Sequence, residues 1–162
     1  MKPRYFEDFR VGDTISTSGV TITEAMIVDF ALRFDPQAIH LDKEAAERGF
    51  YKGLIASGWM VGSLAFRLLV QSGFLHGGSL GSPGLDTLRW LKPVRPGDTI
   101  HTEVAVTDTR LSSKGDRGYA TLDYRVVNQR GETVMRYLGT QILATRPRDA
   151  TLVNERPSAA RS

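Results

Sequence analysis

No cysteine occurs anywhere in the chain, which excludes disulfides, thiolate metal sites and a cysteine nucleophile and suits a reducing compartment. Histidine is scarce, three in 162 residues, and His76 and His101 lack ligand-like spacing to His40, so no metal is expected. The opening residues, Met1 to Phe9, hold no apolar run that could form the core of a secretory signal. Nor does any window approach the roughly 18 uninterrupted apolar residues of a membrane span. A cytoplasmic protein without membrane contact is the expectation. The net charge of +3 comes without a dense basic stripe interleaved with aromatics, so nucleic acid is not an expected partner. The arginine excess towards the C-terminus reads first as a solvated face, and second as attraction for an anionic small molecule. No internal repeat is present.

What the chain does hold is material for one core, with 41% hydrophobic residues. Its length fits a single domain, expected over residues 1–146. Residues 147–162 carry prolines and no apolar period, and read as a tail inclined to disorder. Residues 9–22 alternate apolar with polar around a Gly-Asp turn, as one half-buried strand or hairpin would. Thr23 then caps a helix whose Met26, Ile27, Phe30, Ala31 and Phe34 share a face, and Pro36 ends it at Asp35. Asp42 to Gly49 reads as a two-turn helix with an acidic cap.

From Ser57 to Gln71 the chain is apolar almost all round, which predicts a buried helix with a sheet around it. Glycine-rich residues 73–84 read as a crossover loop. Strands are expected over 85–91, 101–111, 119–127 and 134–145, the last three hairpin-linked and so antiparallel. The order makes an α+β domain in which one antiparallel sheet curves round a central helix. A single sheet with an open face would expose apolar surface, and dimerisation would cover it.

Two stretches carry chemistry. Asp35 and His40 place a carboxylate and an imidazole five residues apart in the turn where proline stops the first helix, where both can reach one water molecule. Ser57-Gly58 opens the buried helix, whose free N–H groups and dipole favour developing negative charge. Each has a plainer reading: Asp35 as a helix-ending residue, His40 as a packed side chain, Ser57 as a cap and Gly58 as a contact that permits close packing. Arg89, Lys92 and Arg95, about the Pro93 to Asp98 turn, are candidate phosphate contacts. Trp59 and Trp90 read as core or interface.

With Ile55-Ala56-Ser57-Gly58-Trp59 and Leu88-Arg89-Trp90-Leu91-Lys92-Pro93-Val94-Arg95-Pro96-Gly97-Asp98 following Asp35-xxxx-His40 in order, the chain resembles the MaoC-like dehydratases, the (R)-specific enoyl-CoA hydratases of hot-dog fold. The likeness covers roughly residues 5–145. It implies a sheet wrapped round the long helix, a homodimer or dimer of dimers, and reversible hydration of a trans-2-enoyl-CoA to the (R)-3-hydroxyacyl thioester. It implies no cofactor beyond the coenzyme A of the substrate, whose phosphates Arg89, Lys92 and Arg95 would meet.

The motif of that family runs Asp-x-Asn-Pro-x-His, followed by a His-Gly pair at the head of the central helix. Asp35 and His40 fall on its catalytic positions, and Gly58 on the glycine whose N–H polarises the thioester carbonyl. Gln37, Ala38 and Ser57 depart from the pattern, in ways that bear on the loop and the acyl pocket. A hot-dog acyl-CoA thioesterase is one alternative, since fold alone does not decide the reaction. A non-catalytic acyl-thioester-binding module is the other, and it predicts that Asp35 and His40 face away from any pocket.

Overall fold

The computed structural model describes residues 2–147; apart from Pro147, the expected tail lies outside them. Thr23 accepts a hydrogen bond from the Met26 N–H and starts α1, Glu24–Phe34, which ends against Asp35 and Pro36 as the caps require. Two short helices follow: α2, Ala38–Leu41, and α3, Lys43–Arg48, capped by the Asp42 side chain. The long helix α4 spans Gly58–Gln71. Among the described residues no helix is long and apolar enough to cross a membrane.

The antiparallel sheet is built from β1 (Thr14–Ser16), β2 (Val20–Thr21), β3 (Ser79–Trp90), β4 (Thr99–Leu111), β5 (Arg117–Asn128) and β6 (Thr133–Ala144). Its order is β1-β4-β5-β6-β3, with β2 also on β4. Strands β4 to β6 are the expected meander, and the period-2 burial of Ile100, Thr102, Val104 and Val106 turns one face of β4 towards α4. There the Thr102 hydroxyl donates to the Ala65 carbonyl at 3.2 Å. Met60, Val61, Leu64, Ala65, Leu68 and Leu69 are the buried face of α4. Burying a large side chain of this kind contributes about 1.5–3 kcal/mol.

The structure corrects four expectations. The 9–22 stretch forms two short strands that each pair with β4 rather than with one another, because its alternation is too brief to sustain one ladder. Residues 79–84 are not loop but the first half of β3. Pairing with β6 overrides their glycine content, with register shifts about Gly81 and Gly84. As an edge strand exposed almost throughout, β3 shows none of the alternation that marks a half-buried strand. Helix α4 is buried on one side only, since Trp59, Phe66 and Val70 remain exposed in the single chain. Finally, His40 sits on α2 rather than in open loop.

Candidate active site

Asp35 follows the last turn of α1, its N–H still bonded to the Ala31 carbonyl at 3.0 Å. Pro36 denies the helix a further donor. The Gln37 N–H turns back to the Asp35 carbonyl at 2.7 Å, and the Gln37 carbonyl accepts the His40 N–H at 2.9 Å. One short turn therefore fixes both residues. On the other side, Ile55 donates to the Ile39 carbonyl (3.2 Å) and Ala56 to the Val94 carbonyl (2.8 Å). This extended segment runs between α2 and the Val94 turn and delivers Ser57 and Gly58 to the head of α4.

The side chains converge. His40 Nε2 lies 3.3 Å from Asp35 Oδ2. The Ser57 hydroxyl donates to the same oxygen at 2.6 Å, and the Gln37 amide donates to Asp35 Oδ1 at 2.7 Å. The Ser57 hydroxyl first, then the Gln37 amide and the imidazole, hold the Asp35 carboxyl below its ordinary pKa against the opposing effect of burial. His40 is 3% exposed, and its Nδ1 is 2.8 Å from the Ile55 carbonyl. A carbonyl can only accept, so Nδ1 carries the proton. In the neutral ring Nε2 then bears the lone pair.

The Asp35–His40 pair and Gln37 open on one cleft of about 360 Å³, with Ser57 buried behind it. Asp35, Gln37, His40 and Gly58 line it, with Ile55, Val61 and Val134 among its apolar walls and Trp59 and Trp90 also bounding it. The arrangement the non-catalytic reading required, with the pair turned away from any pocket, is not found. Gly58 has a packing reason as well: a Cβ there would sit 2.3 Å from the Trp90 Nε1. As the first residue of α4 its N–H has no intrahelical acceptor. Ser57 both caps the helix, accepting from the Trp59 N–H at 3.3 Å, and holds Asp35.

Of the three candidate phosphate contacts, only Lys92 lines the cleft, where it pairs with Glu132 at 2.5 Å. Arg95 is turned inward to the Tyr51 carbonyl. Arg89 donates to the neighbouring Leu88 carbonyl at 2.8 Å. The sequence reading passed over the work of Gln37, which a side-chain amide two residues beyond an aspartate could have signalled. Trp90, expected in the core or an interface, is not in the core of the single chain: it is half exposed at the cleft and stands edge-to-face with Trp59 at 5.3 Å. The Ile55 carbonyl, a backbone group, has no signature to read. Among the described residues no His, Asp and Glu side chains gather as a metal ion would need.

The family of the MaoC like domain matches residues 8–128, which takes in the cleft from Asp35 to Val94 and the first three long strands. The chain belongs to the MaoC-like family. Protein MaoC of Klebsiella aerogenes is 36% identical over 70% of this chain, which spans only 33% of that protein's length. The (R)-specific enoyl-CoA hydratase of Rhodospirillum rubrum is 32% identical over 64% of this chain and 69% of its own. The crystal structure of a MaoC-like dehydratase from Rhodospirillum rubrum superposes with a TM-score of 0.84 at 39% identity, covering 90% of this chain and 99% of that one.

A Mycobacterium tuberculosis protein with a double hotdog fold superposes at TM-score 0.74 and 22% identity, over 90% of this chain and 45% of that one. The fold is therefore the α+β hot-dog. Within this MaoC-like domain the departures at Ala38 and Ser57 acquire physical accounts. Ala38 is the first residue of α2, a position that tolerates proline without requiring it. Ser57 supplies a short hydroxyl that reaches Asp35 directly.

Proposed function

We propose that the chain is a hydro-lyase that adds water reversibly to a trans-2-enoyl-CoA, or a related acyl thioester, to give the (R)-3-hydroxyacyl thioester. The observation that carries this reading is that Asp35 and His40, 3.3 Å apart, share one cleft with Gly58 at the head of α4, while the buried Ser57 holds Asp35 from behind. The name of the Rhodospirillum rubrum hydratase supports it.

In this reading, a neutral His40 and an ionised Asp35 present two acceptors 3.3 Å apart, and a water bound beside them donates one proton to each. The water oxygen forms a bond to C3 of the enoyl group as one of its protons passes to His40 Nε2. The π electrons move towards C2 and the thioester oxygen, whose developing charge the Gly58 N–H stabilises; such a donor lowers the barrier by roughly 3–4 kcal/mol. The imidazolium, stabilised by the Asp35 carboxylate, then returns the proton to C2. Water has been divided between C3 and C2, and the site is restored. His40, rather than the depressed carboxylate, is the better proton acceptor.

The proposal takes residues 1–146 as the catalytic unit, in the cytoplasm, with no cofactor other than coenzyme A carried by the substrate. Lys92 is the cation best placed for a phosphate of that group, with Arg89 and Arg95 in reserve only if their present bonds exchange. It also takes the protein as a homodimer or dimer of dimers, since the exposed Trp59, Phe66 and Val70 of α4 and the long β3 edge are surfaces that pairing would cover. Light scattering should then give at least twice the 17.9 kDa chain mass, and a monomer at micromolar concentration would remove this part. The reaction itself is tested by following the ultraviolet absorbance of enoyl-CoA thioesters across chain lengths, alongside a thiol reagent. Loss of absorbance without free thiol is expected. Thiol release would make the protein a thioesterase, and no change with any chain length would sink the hydratase.

A further inference from the structure

We infer that Gln37 is a positioning residue, which keeps the Asp35 carboxylate turned towards His40. The inference rests on the hydratase reading for its catalytic consequence but not for its geometry. The Gln37 side-chain amide donates to Asp35 Oδ1 at 2.7 Å; its backbone carbonyl separately accepts the His40 backbone N–H at 2.9 Å, fixing the turn whatever the side chain. A carboxylate only accepts, so the amide nitrogen is the atom that faces it. With Oδ1 held by Gln37, Oδ2 is directed to Ser57 and to His40 Nε2.

The side chain is exposed and lines the cleft, so burial of apolar surface does not explain it. The groups facing Asp35 are Ser57 from the head of α4, His40 from α2 and Gln37 itself. Tyr51 and Lys92 also line the cleft, Lys92 already paired with Glu132.

Two variants decide the matter. Gln37→Met keeps the length and cannot donate. Gln37→Glu sets a second carboxylate against Asp35, and two carboxylates at that range share one proton, with one pKa raised. Gln37→Met should lower kcat about ten- to a hundred-fold, the scale of a lost hydrogen bond to a charged group, with KM and thermal unfolding near wild type. Its activity relative to wild type should be the same at every pH. For Gln37→Glu that ratio should rise as the pH falls from 8 towards 5, because the introduced carboxyl, once protonated, regains the donor.

Independently of any turnover, carboxyl carbon NMR, with Asp35→Asn to assign the signal, should show the Asp35 midpoint moved upward in Gln37→Met and further in Gln37→Glu. A hydratase reading that fails leaves this titration standing. An unmoved Asp35 midpoint, or wild-type kcat in Gln37→Met on a substrate the wild type turns over, would overturn the role given to Gln37.

Discussion

Asp35 and Asp98 are held in much the same way. Asp98, in the turn before β4, accepts from the Arg95 N–H at 2.8 Å, the Gln129 amide at 2.8 Å and Arg130 at 3.2 Å. Burial opposes its charge, but the Gln129 amide, the Arg95 N–H and Arg130 together hold its pKa below the ordinary value. Asp35 has a glutamine amide too, with a serine hydroxyl and an imidazole in place of the backbone N–H and the guanidinium. A depressed carboxyl is therefore no mark of chemistry by itself. The difference lies in the partner and the access. A guanidinium never gives up its proton, so Asp98 is neutralised permanently, with its side chain 9% exposed. The partner of Asp35 is an imidazole, which can take up a proton and give it back, and both open on a cleft.

The comparison breaks most visibly at the pair itself. Asp35→Asn and His40→Gln should each lower the hydration rate by roughly 10²–10⁴-fold, the usual contribution of acid–base catalysis. The double variant should be scarcely worse than either single one, because the two act on one water. Unfolding temperature should change little. Activity that falls only in step with the folded fraction would make both residues structural and return Asp35 to the company of Asp98.

Next in size is the converse. Asp98→Ala leaves the Arg95 N–H, Gln129 and Arg130 without their shared acceptor and should cost about 2 kcal/mol of stability. Turnover per folded molecule should stay at the wild-type value. Denaturant unfolding and enzyme assay on the same sample separate the two effects, and a loss of kcat at full folding would contradict the division drawn between these aspartates.

How far this corner could be read in advance depended on whether its determinants are local. The limits of α1 were legible because Thr23 and Pro36 act within a turn of themselves. The hairpins between β4, β5 and β6 were legible because their turns carry glycine. Helix α2, only four residues, is shorter than the period that would announce it, and it was read as loop. Strand β3 was half missed because its order comes from β6 and not from its own glycines. Residue types and spacing marked Asp35, His40, Ser57 and Gly58 only beside plainer readings, and it was the resemblance to the MaoC-like dehydratases that set them apart; the structure puts Asp35 against His40 and Ser57, with Gly58 on the same cleft. Residue types and spacing could not say that Arg95 would be drawn to the Tyr51 carbonyl or that the His40 tautomer would be set by the Ile55 carbonyl, since backbone acceptors have no sequence signature.

Ser57 sharpens the comparison on the Asp35 side, having a cap and a carboxylate to serve with one oxygen. Ser57→Ala should lose about 1 kcal/mol of stability through the cap and about ten-fold in kcat through the weakened hold on Asp35. Ser57→Thr should recover most of the second if its hydroxyl keeps its direction. Wild-type kcat per folded molecule in Ser57→Ala would assign Ser57 to the cap alone.

The smallest effect is in the acid limb of stability, where the two aspartates should behave alike. Both have folded pKa values below the unfolded one, which is about 3.9. The stability each contributes is therefore complete above that value and is lost as the pH falls through the lower folded one. No difference between wild type and an Asn variant in the pH dependence of unfolding is expected from pH 7 down to about 5, where neither state binds the proton. Below about pH 4 the unfolded chain takes up protons that the folded one refuses, and each aspartate steepens the decline by at most about 1.4 kcal/mol per pH unit. Urea midpoints at pH 7, 4 and 3 should accordingly fall less steeply in Asp98→Asn, and in Asp35→Asn, than in the wild type. An Asp35→Asn series that ran parallel to wild type while Asp98→Asn flattened would mean that the Ser57 and Gln37 bonds to Asp35 do not persist in solution. The two carboxylates would then differ in how they are held as well as in what they face.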